Sequence, residues 1–278
     1  ITNAAYFSAA ELETMVTMKN SLSAELNILR SSLFETALEV VAHNLNHKNS
    51  SLRLFEFGKA YSTSGAGKYH ETEQLCILIS GNSREEEWKQ KAVAADFYAL
   101  KGTVESVLRG LGIKADSVEA MEVPKLENHI VYKLNNNVIA GAGQVSKGVL
   151  DQFGIKQPVF YAGLNWEQIS DLASNHNPKI REIPRYPQVQ RDLAMIVSRE
   201  LPWQEVENTV HKIRLDKLRD IKLFDIFESE KLGTGKKSLA VNFTFLDEEK
   251  TLTDKEIDGW MNKIMGALEK ELQAEIRK

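Results

Sequence analysis

Two histidines four residues apart, His43 and His47, have the spacing that sets both imidazoles on one helix face, where they could ligate zinc. Asn44 stands where a zinc protease needs a glutamate base, and no third ligand is evident. The pair therefore reads as hydrated histidines near a helix end. Gly65-Ala66-Gly67-Lys68 has the glycines and lysine of a phosphate loop, but neither its full spacing nor the Ser or Thr after the lysine. Cys76 is the only cysteine, which excludes an internal disulfide and suits a reducing cytoplasm. Its place within LCILIS reads as a buried small hydrophobe. Scattered Asp and Glu pairs belong to solvated helix faces. No catalytic residue and no metal ligand follows from these spacings.

Chemistry of another kind, the stacking of nucleic-acid bases, is open to the run Leu223-Phe224-Asp225-Ile226-Phe227. Side chains alternate along a strand, so Leu223, Asp225 and Phe227 share one side, and Phe224 with Ile226 shares the other. Phe224 and Ile226 are expected against helices. That leaves Phe227 free to stack on a base, with Asp225 beside it to accept a hydrogen bond from a base edge. Arg185, Arg191, Lys222, Lys236 and Lys237 could meet phosphates, which position an RNA without specifying its sequence. The net charge of −4 means that any such contact rests on a local patch and on stacking, because no global positive field exists.

The elements that must carry these residues follow from patterning. At 278 residues, 42% hydrophobic and 27% charged, the chain is long enough for two domains with separate cores. It has no apolar run of membrane-spanning length and no signal-peptide pattern. Ser8 and Glu11 have capping-box spacing ahead of a short helix around Ala9–Val16, and Ser32 and Glu35 repeat it ahead of a longer one. In the longer helix Leu33, Ala37, Val40, Val41 and Leu45 form an apolar face. A polar turn at 46–51 leads to a strand from Leu52 to Tyr61, then to a small-residue hairpin loop and a buried strand over Gln74–Ser80. Asp96 caps a helix carrying Phe97, Leu100, Val104, Val107, Leu108 and Leu111, ended by Gly110 and Gly112. Short strands at Val118–Met121, Ile130–Leu134, Val138–Gly141 and Val159–Leu164 follow, two of them joined by an Asn135-Asn136-Asn137 turn. Many strands with few helices favour an antiparallel sheet.

Between Ser174 and Pro187 lie Pro178, Pro184 and Pro187, three of the six prolines, which predicts an extended linker with a boundary near Pro178. Strand, helix, strand, strand, helix, strand then succeed one another. Asp192–Val197 is the first strand, and Pro202 stands at the first turn of a helix whose Trp203, Val206, Val210 and Ile213 face inward. Leu218–Phe227 and Ser238–Leu246 are the middle strands. Thr253 and Glu256 form a capping box, Leu252 and Ile257 a hydrophobic staple, and 273–277 a last strand. That order is a split βαβ, ferredoxin-like unit.

Two sets of residues carry a family resemblance. In the first half they are Asn20, Ser23, Leu29, Arg30, Ser32, Leu33, Phe55, Glu56 and Gly58, with the run DFYALKG at 96–102. In the second they are Pro184-Arg185-Tyr186-Pro187, Arg191-Asp192-Leu193-Ala194, Leu223 to Phe227, Lys237-Ser238-Leu239-Ala240 and Lys250-Thr251-Leu252. Together they resemble the beta subunit of bacterial phenylalanine–tRNA ligase, in its catalytic-like module and its ferredoxin-fold anticodon-binding domain. Ser21 stands where the family has proline, Lys250 where it has arginine, and Lys125-Leu126-Glu127-Asn128 where it has a His-Pro-Gly run.

The resemblance implies an α+β protein: a class II synthetase-like antiparallel sheet domain over 1–177, then a ferredoxin-like βαββαβ anticodon-binding domain over 178–278. It implies a fragment, about the last third of the subunit. Class II synthetases clamp the ATP α-phosphate with an arginine soon after the F-x-x-G strand, since a planar charged fork matches phosphate oxygens. Here Lys59-Ala60-Tyr61-Ser62-Thr63 follows, and Gly163-Leu164-Asn165-Trp166-Glu167 lacks the second expected arginine. The implied module has no active site, and the implied catalytic set is empty. ATP and magnesium would belong to the whole enzyme. The implied partners are the alpha subunit, in an alpha2beta2 assembly, and phenylalanine tRNA in the cytoplasm; the apolar helix after Ser32 is the candidate alpha-subunit interface, with packing of that helix face on the chain's own sheet as the alternative. The implied RNA contacts are Phe227, Asp225, Ala194, Ser238, Arg191, Arg185 and Lys237, with Ala194 and Ser238 small enough to let a base approach. A structural scaffold whose second domain docks protein, and a free-standing ligase with an unusual site, are the competing expectations.

Overall fold

In the computed structural model, which describes residues 1–21, 23, 26–174, 183–229 and 232–277, the chain forms two units, Ile1–Pro178 and Lys179–Lys278. Both are antiparallel α+β structures. Asn175, Asn177 and Pro178 of the expected linker lie outside the described residues. Pro184 and Pro187 are exposed.

The first unit is built on Leu52–Thr63 (β1), Tyr69–Ser80 (β2), Ser117–Ala120 (β5), Leu126–Leu134 (β6), Asn137–Val145 (β7) and Val159–Asn165 (β8). They form one sheet in the order β1-β2-β8-β7-β6-β5, every pair antiparallel. Asn82–Arg84 (β3) and Val93–Ala94 (β4) make a separate two-stranded ladder. The β1–β2 turn holds Gly65 (φ 134°) and Gly67 (φ 79°), so the Gly-Lys stretch is a hairpin tip and no helix follows it. Asn135 and Asn136 take φ 50° and 64°, two left-handed residues in succession, as a tight hairpin requires.

Helices cover both sheet faces. Phe97–Gly110 (α3) starts where Asp96 Oδ1 accepts from Ala99 N at 2.8 Å. It packs Leu100, Val104 and Leu108 on Leu75, Ile77 and Ile79, with Trp166–Ser174 (α5) beside it. On the other face Phe34–Asn46 (α2) sets Phe34, Ala37, Leu38 and Val41 on Leu52, Cys76, Leu78, Val159 and Tyr161. Phe34 meets Tyr161 edge to face, ring centroids 4.8 Å apart. The short Ala9–Leu12 (α1) has the full capping box of Ser8 and Glu11, and Lys147–Gln152 (α4) adds Leu150 to the α2 core.

Three details of α2 depart from the sequence reading. Ser32 lies one residue ahead of the helix cap, Leu33, so its Oγ accepts from Phe34 N (3.2 Å) and donates to Glu35 (3.0 Å); the reciprocal box is not formed. Val40 is 45% exposed, and Leu38, fully buried, takes its place in the apolar stripe. The stripe itself is consumed by the unit's own sheet, so α2 presents no free apolar face to a second subunit.

The second unit contains Val189–Ser198 (β9), Trp203–Lys212 (α6), Leu218–Phe227 (β10), Lys236–Phe245 (β11), Asp254–Leu272 (α7) and Glu275–Arg277 (β12). The sheet order β10-β11-β9-β12, wholly antiparallel, is that of a ferredoxin-like βαββαβ unit. Pro202 is the N-cap of α6, one position earlier than expected. At the head of α7, the Glu256 carboxylate accepts from Thr253 N and Oγ1 at 3.0 and 2.8 Å, and Gln273 ends the helix in the left-handed region. Both helices lie on one face, where Val206, Val210, Ile257, Ile264 and Leu268 meet Leu193, Met195, Leu239, Val241 and Phe243. Among the described residues of this unit, no helix packs on the opposite face.

Candidate nucleic-acid interface

Cross-strand partners of an antiparallel sheet share a face, so the register shows what the helix-free face displays. One row across it is Phe227, Ser238, Ile196 and Glu275; the next is Asp225, Ala240, Ala194 and Arg277; a third is Lys222, Asn242 and Asp192. Phe227, 54% exposed, thus borders a shallow floor of Ser238, Ala240 and Ala194. Asp225 lies one row along, solvent-exposed.

This arrangement depends on a bulge. The register slips between Leu223 and Asp225, which pair with the adjacent residues Val241 and Ala240. The extra residue, Phe224, breaks the alternation. Leu223 therefore packs on the helix-side core while Asp225 and Phe227 share the open face, a correction to the expected grouping of all three. The expected packing of Phe224 and Ile226 against helices is also corrected. They are 53% and 52% exposed, although Ile226 pairs with buried Leu239. Strict alternation fails wherever a bulge intervenes, and no sequence signal marks this one.

The basic residues divide between the faces. Arg191 pairs with Phe243 on the helix side, where its guanidinium donates to Asp254 Oδ1 at 2.6 Å, at the first residue of α7. Lys237 pairs with Val197 on that side and donates through Nζ to Leu201 O at 2.7 Å. Arg185 is exposed ahead of β9. On the open face stand Lys222 and Lys236, the latter in an ion pair with Glu275. Arg277, opposite Ala194, joins them. The sequence reading missed Arg277; counting faces along β12 from its pairing with β9 would have found it. Asp192 is held by Asn242 Nδ2 at 2.6 Å.

In the first unit, the strand that would carry a phosphate clamp presents Lys59, which is paired with Glu71 on β2; that contact raises the lysine's pKa. Arg30 reaches the same strand from outside the sheet, as its Nε donates to Lys59 O at 3.1 Å. Lys125 is the nodal cation of the second departure from the family pattern. It bridges Glu11 (2.8 Å) and the buried Glu35 (2.9 Å), and its ammonium lies 4.9 Å from the Phe7 ring centroid. Its pKa is raised: burial works against the charge, and the hydrogen bonds it donates to Glu11 and Glu35 outweigh it. The His43 and His47 rings pack tilted, centroids 4.3 Å apart, with His47 Nδ1 2.8 Å from His43 O. Among the described residues no cluster of three or more His, Cys, Asp or Glu could hold a metal ion, and no helix is long and apolar enough to cross a membrane.

Comparison with known proteins accounts for both units. Residues 184–277 match the ferredoxin-fold anticodon binding domain family. The phenylalanine–tRNA ligase beta subunit of Porphyromonas gingivalis is 34% identical over 276 residues, 95% of this chain and 34% of that protein. That of Bacteroides fragilis is 32% identical over 294 aligned positions, 100% and 36% respectively. That of Dehalococcoides mccartyi is 32% identical over 98% and 33%. The chain spans about a third of the length of these curated relatives. With residues 1–166, more than half of its length, matching the phenylalanyl tRNA synthetase beta chain CLM domain, the chain belongs to that family.

Proposed function

We propose that this chain is the carboxy-terminal part of a phenylalanine–tRNA ligase beta subunit and that its second domain, 178–278, reads the tRNA anticodon on the open sheet face. The observation that carries the reading is the row of Phe227, Ser238 and Ile196 beside Asp225, Ala240 and Ala194. An exposed aromatic beside a floor of small residues gives a base room to lie flat, and stacking contributes about 1–3 kcal/mol per base. Asp225 accepts a base N–H, which adds discrimination to stacking. Lys222, Lys236, Arg277 and Arg185 meet phosphates and fix the strand's direction. Arg191 and Lys237, turned to the helix side, act by holding α7 and the Leu201 loop.

The first domain, 1–177, is a synthetase-like module without its phosphate-clamping arginines. It supports the catalytic alpha subunit in an alpha2beta2 assembly in the cytoplasm. ATP, magnesium and the joining of phenylalanine to its tRNA belong to the whole enzyme. Since the apolar stripe of α2 packs on its own sheet, alpha-subunit docking does not use that stripe.

Titrating the chain with the anticodon stem-loop of phenylalanine tRNA, and with a loop of altered anticodon, tests the reading. Tighter binding of the cognate loop is expected. Equal binding reduces the site to phosphate attraction. Absence of RNA binding with alpha-subunit binding intact selects a protein-docking scaffold.

A further inference from the structure

A cleft of about 700 Å³ opens on the α2 side of the six-stranded sheet, walled by Phe7, Phe34, Tyr161 and His129 and bordered by Glu35 and Lys125. Its volume falls within the range of small-molecule sites. Gly141 and Gly163, paired across β7 and β8, lie in the sheet beneath it. A Cβ on Gly141 would fall 2.7 Å from His129 Nε2, and one on Gly163 would fall 3.3 Å from Tyr161 Oη. Two polar ring atoms therefore rest closely against glycines of neighbouring strands.

Neither atom has a hydrogen-bond partner among the described residues. His129 bonds through Nδ1 alone, 3.1 Å from Met121 O. A carbonyl only accepts, so Nδ1 carries the proton of that contact and Nε2 is the ring nitrogen left without a partner. Tyr161 is 7% exposed, and burial pushes its phenol well above the usual range, so the hydroxyl stays protonated and its oxygen can still accept.

Charge selects the ligand. Glu11 and Glu35 share the single ammonium of Lys125, which leaves one carboxylate charge in excess beside the cleft. Aromatic ring faces add to the attraction for a cation. We propose that the cleft binds a small primary amine with an aromatic or apolar body. The ammonium donates to His129 Nε2 and Tyr161 Oη, and the body lies against Phe7 and Phe34. This site is independent of RNA reading by the second unit.

The probe is phenethylamine, titrated into the 278-residue chain and followed by calorimetry and by NMR of the His129 ring. N-acetylphenethylamine and 3-phenylpropionate, which lack the ammonium, are the comparison ligands. Saturable phenethylamine binding is expected, at least about tenfold tighter than either analogue. Tyr161→Phe, which removes only the hydroxyl, is expected to weaken it about three- to tenfold with an unchanged melting profile. Equal binding of the acetylated amine, an unaltered affinity in Tyr161→Phe, or no saturable signal at millimolar amine overturns the proposal.

Discussion

Arg30 Nη1 lies 2.8 Å from Glu56 Oε1, and the same guanidinium passes over Gly58 two residues further along β1. Arg30 also donates to Thr36 Oγ1 (3.3 Å) and to Lys59 O (3.1 Å), so it ties the segment before α2 to the edge strand. The family pattern L-R-x-S-L followed by F-E-x-G thus has a physical content. The glutamate and glycine on the strand are the two residues the arginine needs.

Gly58→Ala is accordingly expected to destabilise the first unit by about 1–3 kcal/mol, the usual cost of overpacking. The added methyl would meet the Arg30 guanidinium, and it would fall 2.9 Å from Leu33 Cδ2. Arg30 is held at three points and cannot simply swing aside. Urea unfolding checks this, and an unchanged midpoint would show that the arginine yields freely.

Lys125→Met should cost about 3–5 kcal/mol, because it leaves the carboxylate of Glu35 buried without its cation. Adding Glu35→Gln to that variant should recover much of the loss. If the double variant is as unstable as the single, the ion pair is not the cause. Glu11 adds a pH signature. The Lys125 hydrogen bond, first among several causes, lowers its pKa from 4.5 to about 2. A depressed acid stabilises the fold above its unfolded pKa, and that stabilisation disappears as pH falls through the folded value. The stability difference between wild type and Glu11→Gln should therefore be full above pH 4.5 and gone below about 2, as acid unfolding series would reveal.

The α2 stripe supplies a paired test. Leu38→Ala should cost about 2–5 kcal/mol, since Leu38 is fully buried against the sheet. Val40→Ala should change stability by less than about 0.5 kcal/mol at its 45% exposed site. Thermal melts in which the two costs are reversed would place the wrong face of α2 on the core.

Elements with local causes were legible in the sequence. The Asp96 cap, the twin asparagines of the β6–β7 turn and the Thr253–Glu256 box each depend on residues within a few positions, and each element is present where read. Placements that depend on distant partners were not. Whether α2 packs on its own sheet or on a subunit is decided by Cys76, Leu78 and Tyr161, far away in the chain. Arg191 and Lys237 turn to the helix side because of their registers with Phe243 and Val197, and Phe224 is thrown out by a bulge defined only in the ladder. On the open sheet face, alternation places Phe227 and Asp225 on one side, and they share it although the alternation breaks one residue earlier.

That division of charges predicts unequal effects on RNA binding. Lys222→Ala and Arg277→Ala should each weaken anticodon stem-loop binding across sequences and lower the salt slope by about one. Arg191→Ala and Lys237→Ala should leave the slope unchanged and lower thermal stability instead. A salt titration in which Arg191→Ala has the larger effect on the slope would put the RNA on the other face.

The most direct test is the affinity of the cognate anticodon stem-loop for wild type, Phe227→Ala and Phe224→Ala, compared at one salt concentration. Both phenylalanines are similarly exposed, at 54% and 53%, but only Phe227 stands opposite Ser238 on the open face. The predicted result is a loss of about 1–3 kcal/mol for Phe227→Ala, with Phe224→Ala close to wild type. Equal affinities for wild type and Phe227→Ala would contradict anticodon reading through that ring.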